Sequence, residues 1–369
     1  MAEMTKKEML RIVNENISRL KDKTFNIYFF VLDTKGNPSS ALEYIYQTAL
    51  VLSKKGYNVT MLHQEKDFVG VKDWLGEEYA NLKHANIEKD NVAITPSDFL
   101  FIPEIFANIM IQTKKLPCKR VIIVQTASHI TEFMPVSHTL DTLNIVDAIV
   151  TTEEQEKRLK DYFPDVRTHI VSPSIKKIFR RGNDVPKKLI VNVVAKDQSV
   201  INRMVKPFYW KNPLYKWVSF RDLRGLPQET FAEALREAAI TIWEDDSTSF
   251  GYTLLEALRS GGLVIAKMPD EFSDWMIPDG NLTENILWFN STEDIAVLLP
   301  KVIQNWITDN LSANLYEKEK AFDDFYSEEG QKKEIEQAYI NELFDKRLKE
   351  FEEAKIDVEN NVIKTKEDE

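Results

Sequence analysis

The sequence predicts an α/β protein built from two doubly wound domains in tandem, each with a parallel sheet. Short apolar runs alternate with amphipathic stretches along most of the chain, as strands alternate with helices in βαβ units. The runs are continuously apolar, which is typical of strands buried on both faces. The same pattern restarts after Pro173, so we place a domain boundary there.

The N-terminal half reads as one amphipathic helix followed by the first parallel sheet. A turn-rich loop at residues 33–40 separates the first strand from its crossover helix, and Gly56 is a suitable residue to end that helix. We predict strands at residues 25–32, 57–64, 98–104, 120–125, 147–152 and 168–173. We predict helices at residues 4–22, 41–55 and 153–163.

The C-terminal half repeats the alternation and ends in polar sequence. We predict strands at residues 188–195, 216–220, 240–245 and 263–268, and helices at 228–238 and 252–260. The last 40 residues are helical in composition with a weak apolar face, which predicts an exposed helix and a frayed tail. We therefore divide the chain into an accessory helix (1–23), two Rossmann-like domains (24–173 and 174–315) and a C-terminal segment (316–369).

Composition restricts the class of protein. The chain has 369 residues, of which 43% are hydrophobic and 29% are charged, as in ordinary globular proteins. Its single cysteine, Cys118, excludes an internal disulfide framework and favours a reducing compartment, so we expect a cytoplasmic protein. No apolar window is long enough for a transmembrane helix, and the N-terminus is too polar for a signal peptide. The net charge of −11 argues against a general polyanion binder.

The charge is unevenly distributed along the chain. Residues 176–224 contain thirteen Lys and Arg against three Asp, while residues 317–369 contain eighteen acidic against ten basic residues. The basic segment also contains the aromatic residues Phe208, Tyr209, Trp210, Tyr215 and Trp217. Such a mixture suits a pocket for a phosphorylated small molecule, and nucleic acid would use the same residue types.

The stretch from residue 240 to residue 271 has the clearest chemistry. A strand runs into an acidic loop, and a turn of small residues then leads into a helix. The turn and helix start comprise Thr248, Ser249, Phe250, Gly251 and Tyr252. Amide groups at a helix start bind phosphate, and glycine allows close approach of the backbone. A carboxylate in the apolar helix, Glu256, needs a partner, which a ribose diol would supply.

This stretch resembles the donor-site motif of GT-B glycosyltransferases, specifically the retaining GT4-type group. The family pattern is Glu-Gly-Phe-Gly, four further residues, Glu-Ala, and then a Gly-x-Pro-Val-Ile strand. The matching residues are Phe250, Gly251, Glu256, Ala257, Gly261, Val264 and Ile265. The resemblance covers residues 24–310, more weakly in the N-terminal half, and it implies the GT-B fold with a donor-binding C-terminal domain, an acceptor-binding N-terminal domain and a C-terminal helix that crosses back.

Three positions depart from that pattern. Thr248 stands where the family has its first glutamate, Ser249 replaces the following glycine, and Leu263 replaces the proline. A carboxylate from the same loop, at Glu244, Asp245 or Asp246, is an alternative to the missing glutamate. The departure at Thr248 also keeps open a catalytically impaired protein that binds sugar nucleotides or serves as a scaffold.

The resemblance implies further site residues. The family neutralises the diphosphate leaving group with an Arg and a Lys after the first strand of the C-terminal domain. Here Arg203 and Lys196 fit that spacing, with Lys206 as a substitute. His129 is the candidate for the histidine near the donor sugar, with Gln125 as a rival. Gly36, in the loop after the first strand, and Arg221 are additional donor-binding candidates.

The predicted function is transfer of a hexosyl or pentosyl unit from a nucleotide-diphosphate sugar to an acceptor, with retention and without metal. The nucleotide sugar is a co-substrate, so no cofactor is expected. The acceptor can be a glycan, a small molecule or DNA, and the DNA alternative would use the basic segment. The sequence contains no P-loop and no nucleophile elbow, and its histidines lack metal-ligand spacing.

Overall fold

The first of two parallel sheets lies in the N-terminal half of the chain. The computed structural model describes residues 5–181, 186–245, 250–269, 273–276, 286–308 and 326–360. The strands of the first sheet are β1 (Asn26–Phe30), β2 (Asn58–His63), β3 (Lys83–Asn86), β4 (Phe99–Pro103), β5 (Lys119–Val124), β6 (Asp147–Val150) and β7 (Arg167–Ile170). They pair in parallel in the order β3-β2-β1-β4-β5-β6-β7.

Helices cover both faces of this sheet. They are α1 (Lys6–Lys21), α2 (Ser40–Lys54), α3 (Lys72–Leu75), α4 (Glu77–Ala80), α5 (Ala107–Gln112), α6 (Ser128–Phe133) and α7 (Glu153–Tyr162). A capping box at Thr5 and Glu8 fixes the start of α1, and Ser39 caps α2 through its side chain. Gly56 has a φ of 86°, a conformation that suits the residue after a helix end.

The second sheet follows the same construction with fewer strands. It comprises β8 (Lys188–Ala195), β9 (Ser219–Asp222), β10 (Ala238–Glu244), β11 (Leu263–Lys267) and β12 (Ile286–Phe289). Its helices are α8 (Gln198–Lys211), α9 (Gln228–Glu237), α10 (Tyr252–Arg259) and α11 (Ile295–Ile307). All neighbours are parallel, in the order β12-β11-β10-β8-β9. The two doubly wound domains that the sequence predicts are thus confirmed.

Between β8 and β9, the structure differs from the expectation in two ways. The strand predicted at residues 216–220 begins only at Ser219, because residues Pro213–Tyr215 form a 3₁₀ turn. Residues Gln198–Lys211 form a helix that the sequence pattern did not indicate, since Pro207 and three consecutive aromatic residues interrupt the polar face.

The C-terminal chain packs on the first sheet. It contains α12 (Glu328–Ile335), a π-helical stretch (Glu336–Phe344) and α13 (Asp345–Glu359). Tyr339 lies 4.8 Å from the ring of Phe101, and Phe344 lies 4.6 Å from the ring of Phe99. The expectation of an exposed helix is therefore wrong for residues 330–344, because buried apolar side chains occur there on one face.

The sequence also predicts that Tyr316, Phe322, Phe325 and Tyr326 supply apolar contacts for this C-terminal segment. Tyr316, Phe322 and Phe325 lie outside the described residues. Tyr326 packs on Phe250, with ring centroids 5.3 Å apart, and so contacts the second domain. Across the described parts of the chain, no helix combines the length and apolar character needed to cross a membrane.

Candidate functional site

The topology of the sheets indicates where a ligand can bind. In open parallel sheets, the crevice lies at the carboxyl ends of the strands where the strand order reverses. In the first sheet the reversal falls between β1 and β4, and in the second between β8 and β10. The loops after these four strands contribute to two adjoining cavities between the domains.

The larger cavity has a volume of about 710 Å³ and is lined by both domains. This volume is within the range of small-molecule sites. The N-terminal domain contributes Asn37, Pro38, Ser39, Ser40, Ala41 and Glu43. The polar residues from the other side are Lys196, Arg224, Gln228, Asp245, Tyr252, Thr253 and Glu256.

Gly251 forms the turn from which α10 starts. Its φ of 68° and ψ of 45° are left-handed, and a Cβ there would lie 2.1 Å from Met276 Cε. Only glycine therefore fits without displacing neighbours. Trp275 Nε1 donates a hydrogen bond of 2.9 Å to the Phe250 carbonyl and so holds the turn. Thr248 and Ser249, predicted to bind the donor, lie outside the described residues.

Glu256 is a buried carboxylate that faces the larger cavity. Only 3% of its surface is exposed, and no described residue hydrogen-bonds its carboxylate. Burial raises its pKa well above the usual value, the negative charge of Glu43 adds to this rise, and Lys176 opposes it. A buried carboxylate without a hydrogen-bond donor is costly, so a ligand with hydroxyl groups would stabilise it.

A polar cluster joins the two domains beneath this cavity. Lys176 Nζ lies 3.1 Å from Glu43 Oε1, and Gln228 Nε2 donates to the same oxygen at 2.6 Å. The Tyr252 hydroxyl donates to the Ser174 carbonyl at 2.5 Å and accepts from Gln47 Nε2 at 2.9 Å. These contacts fix α10 against α2, so the cavity is assembled by residues far apart in the chain.

The charge of Lys176 belongs to this cluster. Burial lowers the pKa of Lys176, but Glu43 and the Tyr79 side chain raise it more, so the overall shift is upward. Its ammonium group also lies 4.5 Å from the centroid of the Tyr79 ring. The buried ammonium therefore compensates the Glu43 carboxylate.

The predicted cations lie at different distances from the cavity. Lys196 is exposed and lines its rim. Arg203 and Lys206 are exposed on α8 and do not line this cavity. Arg221 forms an ion pair of 2.7 Å with Glu237 and lines a separate depression.

Arg224 is a cavity residue that the sequence reasoning missed. It follows β9 directly and forms an ion pair of 2.6 Å with Asp222. Its Nη2 also donates to Gln198 Oε1 at 2.7 Å. Its position just after a strand of the second sheet could have identified it, because the loops that follow parallel strands meet at the cleft.

The smaller cavity, of about 190 Å³, is lined chiefly by the N-terminal domain, and its lining is mainly apolar. His129 and Gln125 both line it, as does Phe250 from the second domain. His129 Nδ1 lies 3.5 Å from Glu104 Oε1, and the same oxygen accepts a 3.0 Å hydrogen bond from the Thr126 amide. Both rivals for the predicted contact therefore face one cavity.

The loop after β1 lies where the two cavities meet. Ser39, Ser40, Ala41 and Tyr252 line both. Gly36, with a φ of 79°, shapes this loop without lining either cavity.

A buried aspartate holds this loop in place. The Asp33 carboxylate accepts hydrogen bonds from the amides of Lys35, at 3.0 Å, and Val69, at 3.2 Å. Burial raises the pKa of Asp33, but these hydrogen bonds and the Lys35 ammonium lower it by more than burial raises it. The net shift of the Asp33 pKa is therefore downward.

The acidic loop after β10 supplies one described carboxylate to the larger cavity. Asp245 lines it, whereas Glu244 is buried toward Thr292, 3.2 Å from its Oγ1, and toward Lys267 at 3.8 Å. Asp246 is outside the described residues. In the ranges that the structure covers, no group of three His, Cys, Asp or Glu side chains is arranged to bind a metal.

No protein-family model matches the chain, and no curated protein sequence does either. Solved structures do resemble it. Sucrose-phosphate synthase from Thermosynechococcus elongatus has a TM-score of 0.61 at 14% identity, over 87% of this chain and 100% of that one. HepE from Anabaena, in complex with UDP-glucose, has a TM-score of 0.60 at 8% identity, over 85% of this chain and 98% of that one. The pneumococcal O-GlcNAc transferase GtfA, with UDP and GlcNAc, has a TM-score of 0.57 at 12% identity, over 90% of this chain and 99% of that one.

These likenesses define the class of fold. The chain has the GT-B fold, with two Rossmann-like domains that face each other across a cleft. The fold that the sequence motif implied is therefore confirmed. The GT4-type subgroup and the individual site residues stay predictions.

Proposed function

We propose that this protein is a glycosyltransferase that takes its sugar from a nucleotide-diphosphate donor. Glu256 carries the proposal, because this buried carboxylate, to which no described residue donates a hydrogen bond, lines a cavity of about 710 Å³ near the start of α10. A ribose diol would donate to this carboxylate, while the diphosphate would lie toward Gly251 and the amides of α10.

Similarity to glycosyltransferases supports the type of donor. HepE and GtfA are described in complex with UDP-glucose and with UDP and GlcNAc, respectively. We therefore expect a UDP-sugar donor here. Retention, independence of metal and the GT4-type subgroup come from the sequence resemblance and belong to the same proposal.

The smaller cavity is the proposed place of the reacting sugar and the acceptor. It adjoins the larger cavity, where the nucleotide would bind, through Ser39, Ser40 and Ala41. His129 and Gln125 face the smaller cavity. Closure of the two domains around both substrates would exclude water and limit donor hydrolysis.

Titration calorimetry with UDP, UDP-glucose, UDP-GlcNAc and GDP-mannose tests the donor site. We expect a uridine ligand to bind, and Glu256→Gln to weaken this binding by about tenfold, because a charge-assisted hydrogen bond becomes a neutral one. Glu229→Gln, on the exposed side of α9, is the matched control. Wild-type affinity in Glu256→Gln would contradict the ribose assignment.

A second candidate is a sugar-nucleotide-binding protein without transferase activity. The observation that favours it is Thr248, which stands where the family motif has a glutamate. Assays of donor hydrolysis and of transfer with a panel of UDP- and GDP-sugars separate the two functions. Donor binding without turnover on any acceptor would support this candidate over the transferase.

A further inference from the structure

A group of exposed aromatic, aliphatic and basic side chains lies at the C-terminal end of α8. We call it the Trp/Lys patch, and it comprises Trp210, Lys211, Leu214, Lys216 and Trp217. Trp210 is 76% exposed, Leu214 is 85% exposed and Trp217 is 56% exposed. Large apolar side chains that are exposed together mark a surface that binds something.

The patch is remote from the cleft. The helix α8 begins after β8, at the carboxyl ends of the strands, and its fourteen residues extend about 21 Å away from there. The chain then turns and enters β9 at Ser219, so Trp217 lies at the amino ends of the strands. The patch is therefore separate from the proposed donor and acceptor sites.

The backbone around the patch is held in one conformation. The Tyr209 hydroxyl donates to the Val218 carbonyl at 2.6 Å, and Asn212 Nδ2 donates to the Ala296 carbonyl at 2.8 Å. Tyr215 stacks on Trp217, with ring centroids 6.1 Å apart. The exposed rings are thus presented by a formed surface.

The patch is also positively charged on an acidic protein. No Asp or Glu occurs between residues 198 and 221, whereas the whole chain has a net charge of −11. In the part of the chain that the structure describes, Lys206, Lys211 and Lys216 take part in no ion pair. These ammonium groups are therefore available to an anionic partner.

We propose that the Trp/Lys patch docks the protein on an anionic lipid bilayer. Tryptophan favours the interface between headgroups and acyl chains, and lysine extends its ammonium group toward the phosphates. Protein interfaces, in contrast, are depleted of lysine. The acidic remainder of the chain is repelled by anionic lipid, so this face would determine the orientation of the bound protein.

Vesicle sedimentation with the full-length protein tests the proposal. We expect binding to vesicles of 30% phosphatidylglycerol in phosphatidylcholine, weaker binding to pure phosphatidylcholine, and release at high salt. Lys211→Glu with Lys216→Glu should lower the partition coefficient by about tenfold or more. Trp210→Ser with Trp217→Ser should lower it comparably, because interfacial burial of the rings is lost.

The control pair places the same chemistry elsewhere on the surface. Lys114→Glu with Lys115→Glu removes two exposed lysines of the N-terminal domain, and Val136→Ser removes an exposed apolar side chain. Circular dichroism confirms that all variants are folded. An equal loss of vesicle binding in the control and patch variants overturns the proposal, as does the absence of binding to anionic vesicles at low salt. Capture of an acidic protein through the patch, without vesicle binding, also overturns it.

Discussion

At the scale of single residues, the predicted cations differ in their access to the donor. Lys196 lines the larger cavity, whereas Arg203 is exposed on α8 away from its lining. Charge on a leaving diphosphate grows in the transition state, so a cation fixed beside it accelerates the reaction.

We therefore expect Lys196→Ala to lower kcat by about 10²-fold with a smaller effect on KM. Arg203→Ala is the comparison, and steady-state kinetics with the best donor is the measurement. An equal loss in both variants would show that Arg203 also reaches the diphosphate, as its spacing in the sequence predicts. Full activity of the Lys196→Ala variant would mean that Lys196 does not contact the leaving diphosphate.

At this scale, local features of the site could be predicted from the sequence, whereas contacts between distant segments could not. Gly251 and Glu256 could be predicted because the spacing between a helix start and a buried carboxylate is local. Glu43, Lys176 and Gln228 form their cluster from three distant segments. No local sequence pattern predicts the contacts of this cluster, since each of the three residues taken alone is typical of the protein surface.

At the scale of elements, strands were predicted better than helices. The buried strands are continuous apolar runs, and their positions follow directly from that pattern. In contrast, α8 contains Pro207 in its interior, which normally interrupts a helix. The strands β3 and β12 were also missed, because a run of four residues is too short for periodicity to be recognised. The helix α11 was missed as well, and it contains Pro300 in its interior.

The π-helical stretch near the C-terminus provides a test of how firmly that element is held. Phe344 is 4% exposed and contacts the rings of Phe25, Tyr57 and Phe99. We expect Phe344→Ala to lower the free energy of unfolding by about 3–5 kcal/mol, as for other buried Phe-to-Ala changes. Urea denaturation is the measurement.

Phe351→Ala is the matched control in the same helical run. Phe351 is only partly buried, with the Arg347 guanidinium 4.6 Å from its ring centroid. We expect it to cost clearly less than Phe344→Ala. A small effect of both variants would mean that the C-terminal segment contributes little to the stability of the first domain.

At the scale of the whole molecule, the closed interface between the domains brings two buried carboxylates near each other. Glu43 comes from one domain and Glu256 from the other, and their mutual repulsion contributes to the raised pKa of Glu256. The folded protein therefore binds more protons than the unfolded chain at pH values just above 4.5, the ordinary value for Glu256. It follows that stability decreases as the pH rises through this range.

We expect ligand-free Glu256→Gln to melt at a higher temperature than the wild type at pH 7.5, with the difference shrinking toward pH 4.5. Thermal denaturation at a series of pH values is the measurement, and Glu229→Gln should show no such trend. A difference in melting temperature that does not vary with pH would mean that folding leaves the pKa of Glu256 unchanged.

The helix pair α1 and α13 has a consequence for how the protein is made. Lys21 and Glu352 form an ion pair of 2.8 Å between these helices, so the first domain is built from both ends of the described chain. In topological terms the second domain is an insertion into a discontinuous first one. During synthesis on the ribosome, the second sheet is complete before the chain of α12 and α13 emerges. Until then, part of the apolar face of the first sheet is uncovered. Exposed apolar surface of this kind promotes aggregation during synthesis.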